Sequence, residues 1–540
     1  MSEENSPATE NSGRALIRHG SVLSLLTLAS RVLGLAREMT KAALLGTSAL
    51  SDAFSVAFMI PNLFRRLFAE GSIAVAFVPT FKEYLLQSET GPLDGTPDSI
   101  KEFLSCFLTF LSFFVTLTVM AGIALCPLMI RFFGMEDFSE TVFLTRLMFP
   151  FLAFISIAAF FQGILNSLRI FAPSGFAPIL LNAITILCAY GLSPYTQNPA
   201  RAMALGILIG GFMEAAIQLP FILRHKSRMR FFFTGIKRAI NNPGTRKVLR
   251  LVGPTVIGMA AYQLNDLVST ALAGNAGEGI VSSLQYSLRL QELILGVFAV
   301  SIGTVLLPDL AEYAKSQRWG LFNQRLSSGM SIIAFITIPI TFFSLSQGRG
   351  MIALLFQTRS FDEESARLTL AAFTFHMPGL YFIALNRVLA PAFYAQSDAK
   401  SPTLAGIISF AVNMTLAAVL AFRFKGSGIA FALSFASAVN TAVLLFFLRR
   451  NREITLGRTL KSTLGYAVKM ILFSALALIP VILLSPGISE LFSGRGRVIS
   501  YGAPLLLNAL IYAGTGLVLL AVTRDKQFLG MVKIIKGSRE

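Results

Sequence analysis

The sequence predicts an all-α polytopic membrane protein of about fourteen transmembrane helices, with two six-helix lobes in parallel repeat around a central cavity and two extra C-terminal helices. Three observations predict it. Apolar stretches of about 20 residues, the length of helix that crosses the hydrocarbon core, recur along the whole 540-residue chain. Residues are 54% hydrophobic and only 14% charged, with a mean hydropathy of +0.67, far from the composition of a soluble domain. A motif closing the second stretch returns 229 residues later. A β-barrel would show short alternating segments instead.

Taken in order, the apolar stretches place spans at 17–45, 52–86, 102–127, 140–167, 174–193, 200–223, 248–274, 279–309, 321–346, 365–396, 401–422, 427–448, 464–485 and 500–523. The second and eighth are long enough to tilt or to run beyond the bilayer. Before the first span, "MSEENSPATENSG" is polar and acidic and has no basic n-region. It reads as a retained cytoplasmic tail, residues 1–16, not a signal peptide.

The net charge of +18 is not spread as a nucleic-acid surface would be. Basic residues collect between apolar runs: Arg224, Lys226, Arg228, Arg230, Lys237, Arg238, Arg246, Lys247 and Arg250 after the sixth span, then Arg449, Arg450, Arg452, Arg458 and Lys461 after the twelfth. The tail at 524–540 adds Arg524, Lys526, Lys533, Lys536 and Arg539. All three segments fall on one side of a fourteen-span arrangement, which makes that side, and both termini, cytoplasmic. Cys106, Cys126 and Cys188 lie in apolar runs and read as small buried core residues, with no disulfide framework.

The repeat joins "GSIAVAFVPTFKEY" (71–84) to "VSIGTVLLPDLAEY" (300–313), matching Ser72/Ser301, Ile73/Ile302, Pro79/Pro308, Glu83/Glu312 and Tyr84/Tyr313. Six spans separate the copies, so the halves share an orientation, as in transporters with parallel repeats. The chain then divides into an N-lobe at 17–240, a C-lobe at 241–450, the added spans within 451–523 and the basic tail at 524–540.

Charge inside these spans is costly, so it marks function. Arg31 lies roughly 20 Å along the first helix, past the middle of the hydrocarbon core. Glu38 shares nearly its face, while Arg37 and Lys41 form an i, i+4 pair on a neighbouring face. The second span carries Asp52, Arg65, Arg66 and Glu70, and the eighth carries Arg289 and Glu292. In repeat register Arg289 falls opposite Ile60, so the lobes are not charge-symmetric. Guanidinium groups bind phosphate or carboxylate bidentately, so Arg31, Arg37, Arg65 and Arg289 point to a strongly anionic substrate, diphosphate first. The bland alternative pairs Arg31 with Glu38, Arg66 with Glu70 and Arg289 with Glu292, and leaves Arg37 and Arg65 without a local acid.

Asp266 and Asn413 have the chemistry of cation ligands or of helix-to-helix hydrogen bonds. Glu214 and His376 are lone intramembrane ionisable groups, suited to proton coupling or to internal hydrogen bonding. Prolines 61, 173, 178, 254, 378, 391 and 402 suit helices that bend or begin at a cavity. The sequence holds no HExxH, Walker-A or CxxC motif, and its three histidines are scattered, so neither enzyme chemistry nor a metal centre is expected.

"SRVLGLARE" (30–38), "SDAFSVAFMIPNLFRRLFAEGSIAVAFVPTF" (51–81), "FAPILLN" (176–182), "GTVLLPDL" (303–310) and "LAPAFYA" (389–395) together resemble the MurJ/MviN lipid II flippases of the multidrug/oligosaccharidyl-lipid/polysaccharide exporter superfamily. The resemblance runs in order from about residue 20 to 450. It implies transport of lipid II, the undecaprenyl-diphosphate-linked disaccharide pentapeptide of peptidoglycan synthesis, to the outer leaflet of a bacterial cytoplasmic membrane. Lipid II, membrane lipids and other cell-wall synthesis proteins would be its partners. Matched through the motifs, Arg31, Arg37, Arg65 and Arg289 would line the cavity with Asp52 as a matching acid, and the last two spans would form a lipid-tail groove. Rocking of the lobes would then carry the headgroup across. Another lipid-linked oligosaccharide on the same fold is the alternative substrate.

Two departures from the family pattern stand out. Glu38 replaces the usual Asp, and Leu288 stands where an acid often precedes the eighth-span Arg, leaving Glu292 to substitute. Asp266 is shifted from the sodium-site pattern of some relatives, and Asn413 has Ala417 one turn on. No cofactor is expected, and membrane potential, H+ or Na+ would supply the drive.

Overall fold

The computed structural model describes residues 7–67, 76–90, 100–224, 231–451, 453–525 and 527–530, with side chains throughout except at 7–24, 88–90, 254–262, 296–305, 456 and 458. Glu70, Ser72, Ile73, Lys226, Arg228, Arg230, Arg452, Lys526, Lys533, Lys536 and Arg539 therefore lie outside the described residues. Among those described, the secondary structure is helical and contains no strand. The first helices are α1 (Pro7–Leu45), α2 (Ala49–Arg65), α3 (Val78–Thr90), α4 (Ile100–Arg131), α5 (Phe138–Met148), α6 (Phe151–Ser167), α7 (Ala172–Gly191), α8 (Pro199–Arg224), α9 (Ile236–Asn241) and α10 (Pro243–Ala276). They continue as α11 (Ile280–Lys315), α12 (Trp319–Phe356), α13 (Glu363–His376), α14 (Gly379–Tyr394), α15 (Lys400–Leu448), α16 (Leu456–Leu491) and α17 (Ala503–Val522).

Each predicted span falls on one of these helices, on part of one, or on a consecutive pair. By length and composition, eight helical stretches among the described residues suffice to cross a membrane, and α13 with α14, bent by 45°, makes a ninth. α1 begins earlier than the predicted span, at Pro7, so part of the expected tail is helical. Proline is well placed in a first turn, and no second proline follows before the apolar run. α15 hides two spans. Lys425 breaks its helical geometry at φ 46°, ψ −129°, and Ser409 Oγ donates to the Ala436 carbonyl at 2.8 Å. A straight helix would hold those residues about 40 Å apart. The run is therefore an antiparallel hairpin.

The chain forms two compact units, one ending at Ala271 and the other beginning at Leu272. In the first, α7 packs along α8, α1 along α7, and α6 against α8. Glycine permits the closest of these approaches: a Cβ at Gly206 would stand 2.8 Å from the Thr185 Cα. Asn182 Nδ2 donates to the Ser30 carbonyl at 3.4 Å, holding α1 beside Arg31. In the second unit α11 lies among α12, α13 and α14, and α12 packs on α16, which packs on α17.

The repeat extends beyond the sequence motif. One span in each unit is broken at a proline, α5/α6 at Pro150 and α13/α14 at Pro378, 228 residues apart. Each broken span ends on a left-handed residue, Arg169 (φ 61°) and Ser397 (φ 60°), again 228 apart. In each, the next N–H returns to a carbonyl five residues back, Ile170 to Leu165 at 2.9 Å and Asp398 to Phe393 at 3.0 Å. Cys106 and Cys126 are buried as expected, whereas Cys188 is half-buried; all three are free thiols.

Candidate functional site

α1 delivers its charges by helical register, and the structure reassigns their partners. Glu38 does not turn to Arg31. Its Oε1 accepts from Arg37 Nη2 at 2.9 Å, and its Oε2 lies 3.6 Å from Lys41 Nζ. Arg31 is exposed and forms no ion pair among the described residues. Arg37 is thus not without a local acid, and its guanidinium also sits 5.3 Å from the Phe58 ring centre, on α2. Adjacent residues on a helix do not face each other, so this pairing depends on two long side chains bending together.

Lys41 is the residue whose importance sequence reasoning missed. Its side chain is 3% exposed, and its Nζ donates to Ser55 Oγ on α2 at 3.0 Å. Asp52, 4% exposed, is close enough for its charge to act on that ammonium. The Glu38/Lys41 spacing of i, i+3 was the available signal.

At the end of α2, Arg65 Nε donates to Asn62 Oδ1 at 2.8 Å, so Arg65 has a local partner, although not an acid. Arg66 Nη1 reaches α10, 3.5 Å from Gln263 Oε1 and 3.8 Å from Asp266 Oδ2. The expected Arg66–Glu70 pair falls outside the described residues. Asp266, read as a cation ligand or a helix-to-helix partner, makes such a contact between helices with Arg66.

In the second unit the expected local pair is present, with Arg289 Nη1 3.2 Å from Glu292 Oε2. Glu292 is thus the acid that Arg289 meets where position 288 is Leu. Arg289 Nε remains buried with no hydrogen-bond partner among the described residues.

On the same helix, Ser287 Oγ lies 2.6 Å from Nδ1 of His376, the last residue of α13. Pro378 breaks the span there, and side chains from three helices satisfy the carbonyls before it. Ser434 donates to the Phe375 carbonyl at 2.6 Å, Gln291 to that of His376 at 2.5 Å, and Thr341 to that of Met377 at 3.4 Å. His376 is therefore part of a packed joint.

Glu214 and Asn413 are buried at 4% and 2% exposure in α8 and α15, respectively. Gln218 donates to the Glu214 carbonyl at 3.0 Å. Among the described residues, no three His, Cys, Asp or Glu side chains gather as a metal site.

A groove of about 340 Å³ runs between α12, α16 and α17, lined by Phe335, Pro339, Phe343, Phe473, Tyr512 and Leu517 among others, almost wholly apolar. Beside it, Asp525 accepts from Lys469 Nζ at 2.6 Å, from Tyr466 OH at 3.1 Å and from the N–H of Phe528 at 3.1 Å. Burial pushes this carboxyl upward, but the hydrogen bonds from Lys469, Phe528 and Tyr466 carry it below the usual carboxylate range.

The profile of the lipid II flippase MurJ family matches residues 41–500. The chain is 46% identical over 512 residues to a probable lipid II flippase MurJ of Treponema pallidum (strain Nichols), covering 95% of this chain and 97% of that protein. It is 33% identical to a probable lipid II flippase MurJ of Vibrio cholerae serotype O1, covering 80% and 82%. Its fold is similar to a solved lipid II flippase MurJ in an inward closed conformation, with a TM-score of 0.75 and 23% identity over 93% of this chain and 99% of that one. An inward-facing MATE-family multidrug transporter of the MOP superfamily shares the fold at a TM-score of 0.65 and 13% identity, over 81% of this chain and 99% of that one.

Proposed function

The chain belongs to the MurJ lipid II flippase family and translocates lipid II across the membrane, and we propose that it does so by alternating access, with Arg31, Arg37, Arg65 and Arg289 binding the anionic headgroup. In this reading the chain lies in the bacterial inner membrane with both termini cytoplasmic. Substrate moves from the cytoplasmic to the periplasmic leaflet. The basic segments around Lys237, Arg449 and Arg524 support the orientation.

One observation supports the assignment: two of the four arginines keep guanidinium donors without an acid or hydrogen-bond partner among the described residues. Arg31 has no ion pair, and Arg289 keeps a buried, unpartnered Nε, among the described residues. A diphosphate supplies the charge and the paired oxygens such donors need. Neutralising the headgroup lowers its barrier to crossing an apolar medium. The polyprenyl chain occupies the groove between α12, α16 and α17, whose apolar lining matches it. Membrane potential or an ion gradient resets the cycle.

Complementation in a bacterium depleted of its own flippase tests this reading. Wild type restores lipid II flipping and growth, while Arg31→Ala, Arg37→Ala, Arg65→Ala and Arg289→Ala at matched membrane expression do not. Full rescue by all four variants would overturn the arginine assignment.

A further inference from the structure

We propose that His376 is a positioning residue for headgroup binding: it fixes the rotation of α11 about its own axis, and so the direction in which Arg289 is presented. The inference rests on the assignment of Arg289 to the headgroup. Two residues that flank Arg289 are both bonded to His376. Ser287 Oγ shares a 2.6 Å hydrogen bond with the ring Nδ1, and Gln291 Nε2 donates to the carbonyl at 2.5 Å. Four residues apart, Ser287 and Gln291 stand on one face of α11. Arg289 is two residues from each, about 200° round the helix and so on the other side. Burial follows the same division. Ser287, Gln291 and His376 are 0%, 2% and 1% exposed, while the side chains of Arg289 and Glu292 are 29% and 62% exposed.

The two bonds set a tight tolerance. Side chains lie about 5 Å from a helix axis, so a turn of about 20° moves them by about 2 Å and breaks both bonds at once. The same turn carries the longer Arg289 side chain at least as far, and a guanidinium fork binds phosphate only when it is aimed. The anchor itself is held from other sides. His376 ends α13, where Pro378 breaks the span. The Leu380 N–H turns to the Met377 carbonyl at 3.0 Å, and side chains reach the His376 carbonyl instead. Ser434 of α15 donates to the carbonyls of Phe375 at 2.6 Å and His376 at 3.3 Å, and Thr341 of α12 to that of Met377. Gly379 lets α14 begin hard against α15, since a Cβ there would stand 2.9 Å from the Ser434 Cα. α11 is therefore registered against a body built from α12 to α15.

The test measures binding of undecaprenyl diphosphate, with undecaprenol as the phosphate-free control, to the purified full-length chain in nanodiscs. Folding is followed by thermal melting. Ser287→Ala and His376→Leu each remove the ring bond. Each is expected to weaken diphosphate binding by about two- to tenfold, the value of one hydrogen bond, and to leave undecaprenol binding unchanged. His376→Asn, whose amide stands where Nδ1 does, is expected to recover most of the loss. Arg289→Ala keeps the other three arginines and hence measurable binding, and adding Ser287→Ala to it is expected to change nothing further. A ring that served only the fold would weaken binding with or without Arg289. A folded Ser287→Ala that bound as wild type, no recovery in a folded His376→Asn, or a loss undiminished in the Arg289→Ala background would each overturn the positioning. If Arg289→Ala alone bound diphosphate as wild type does, the headgroup assignment itself would fall, and the positioning with it.

Discussion

Arg66 and Asp266 meet across 200 residues of chain, Nη1 to Oδ2 at 3.8 Å, joining the end of α2 to α10. The contact gives Asp266 a role between helices. Both side chains are well exposed, at 39% and 54%, so the pair is worth only about 0–1 kcal/mol. Asp266→Asn is accordingly expected to shift thermal stability by no more than that. It should also leave any sodium dependence of flipping unchanged, measured in vesicles with and without a sodium gradient.

Arg289 tests guanidinium shape against charge. Its Nη1 is taken by Glu292 while its Nε is buried with no hydrogen-bond partner among the described residues. Arg289→Lys keeps the charge and loses the fork. We expect lipid II flipping to fall by about tenfold or more, with a melting temperature near wild type. Wild-type flipping by the lysine variant would show that charge alone suffices.

Gln291 tests the joint at Pro378. Its amide supplies a donor to the buried His376 carbonyl at 2.5 Å. Gln291→Leu leaves that acceptor only the longer bond from Ser434 Oγ at 3.3 Å, and the expected loss is about 0.5–1.5 kcal/mol of stability, read as a lower melting temperature in detergent.

Lys425 holds φ 46°, ψ −129° at the tip of the α15 hairpin, a conformation that suits glycine. Relief of such strain is worth on the order of 1–3 kcal/mol. Lys425→Gly is expected to raise the melting temperature; a lower one would mean that the lysine side chain matters more than the backbone.

Asp525 gives a pH dependence. Its folded pKa lies below its unfolded value, so its contribution is present above about pH 4 and is lost as pH falls through the folded pKa. Asp525→Asn is therefore expected to destabilise the chain by about 1–3 kcal/mol at pH 7. The gap to wild type should stay constant from pH 5 to 8 and close only at lower pH. A gap that narrowed near neutrality would place the titration on another group.

Much of this molecule is legible in a single pass along the chain. The all-helical, membrane-spanning architecture was readable from the apolar stretches. So was the Arg289–Glu292 pair, since residues three apart on a helix are neighbours whatever the fold. The two helices of α15 were separated correctly by composition around "RFKGSG". What the sequence left open concerns partners. The alternative pairing put Arg31 with Glu38 on one helix face, and the structure turns Glu38 to Arg37 and Lys41 instead. Pro150 escaped notice, although with Pro378 it extends the repeat through a broken span in each unit.

The sequence by itself determined that the chain is helical, that it lives in a membrane, which residues bring charge into it, and which family it resembles. These are local properties. Transfer from water to lipid is summed residue by residue, and helical hydrogen bonds run only four residues back. Only the tertiary structure decided which carboxylate holds which cation, that Lys41 is buried against Ser55, that Asp266 answers Arg66, and that α12, α16 and α17 leave an apolar groove. Those outcomes depend on distances between helices remote in sequence. Charge attraction and packing are set by ångströms of separation that no local pattern encodes.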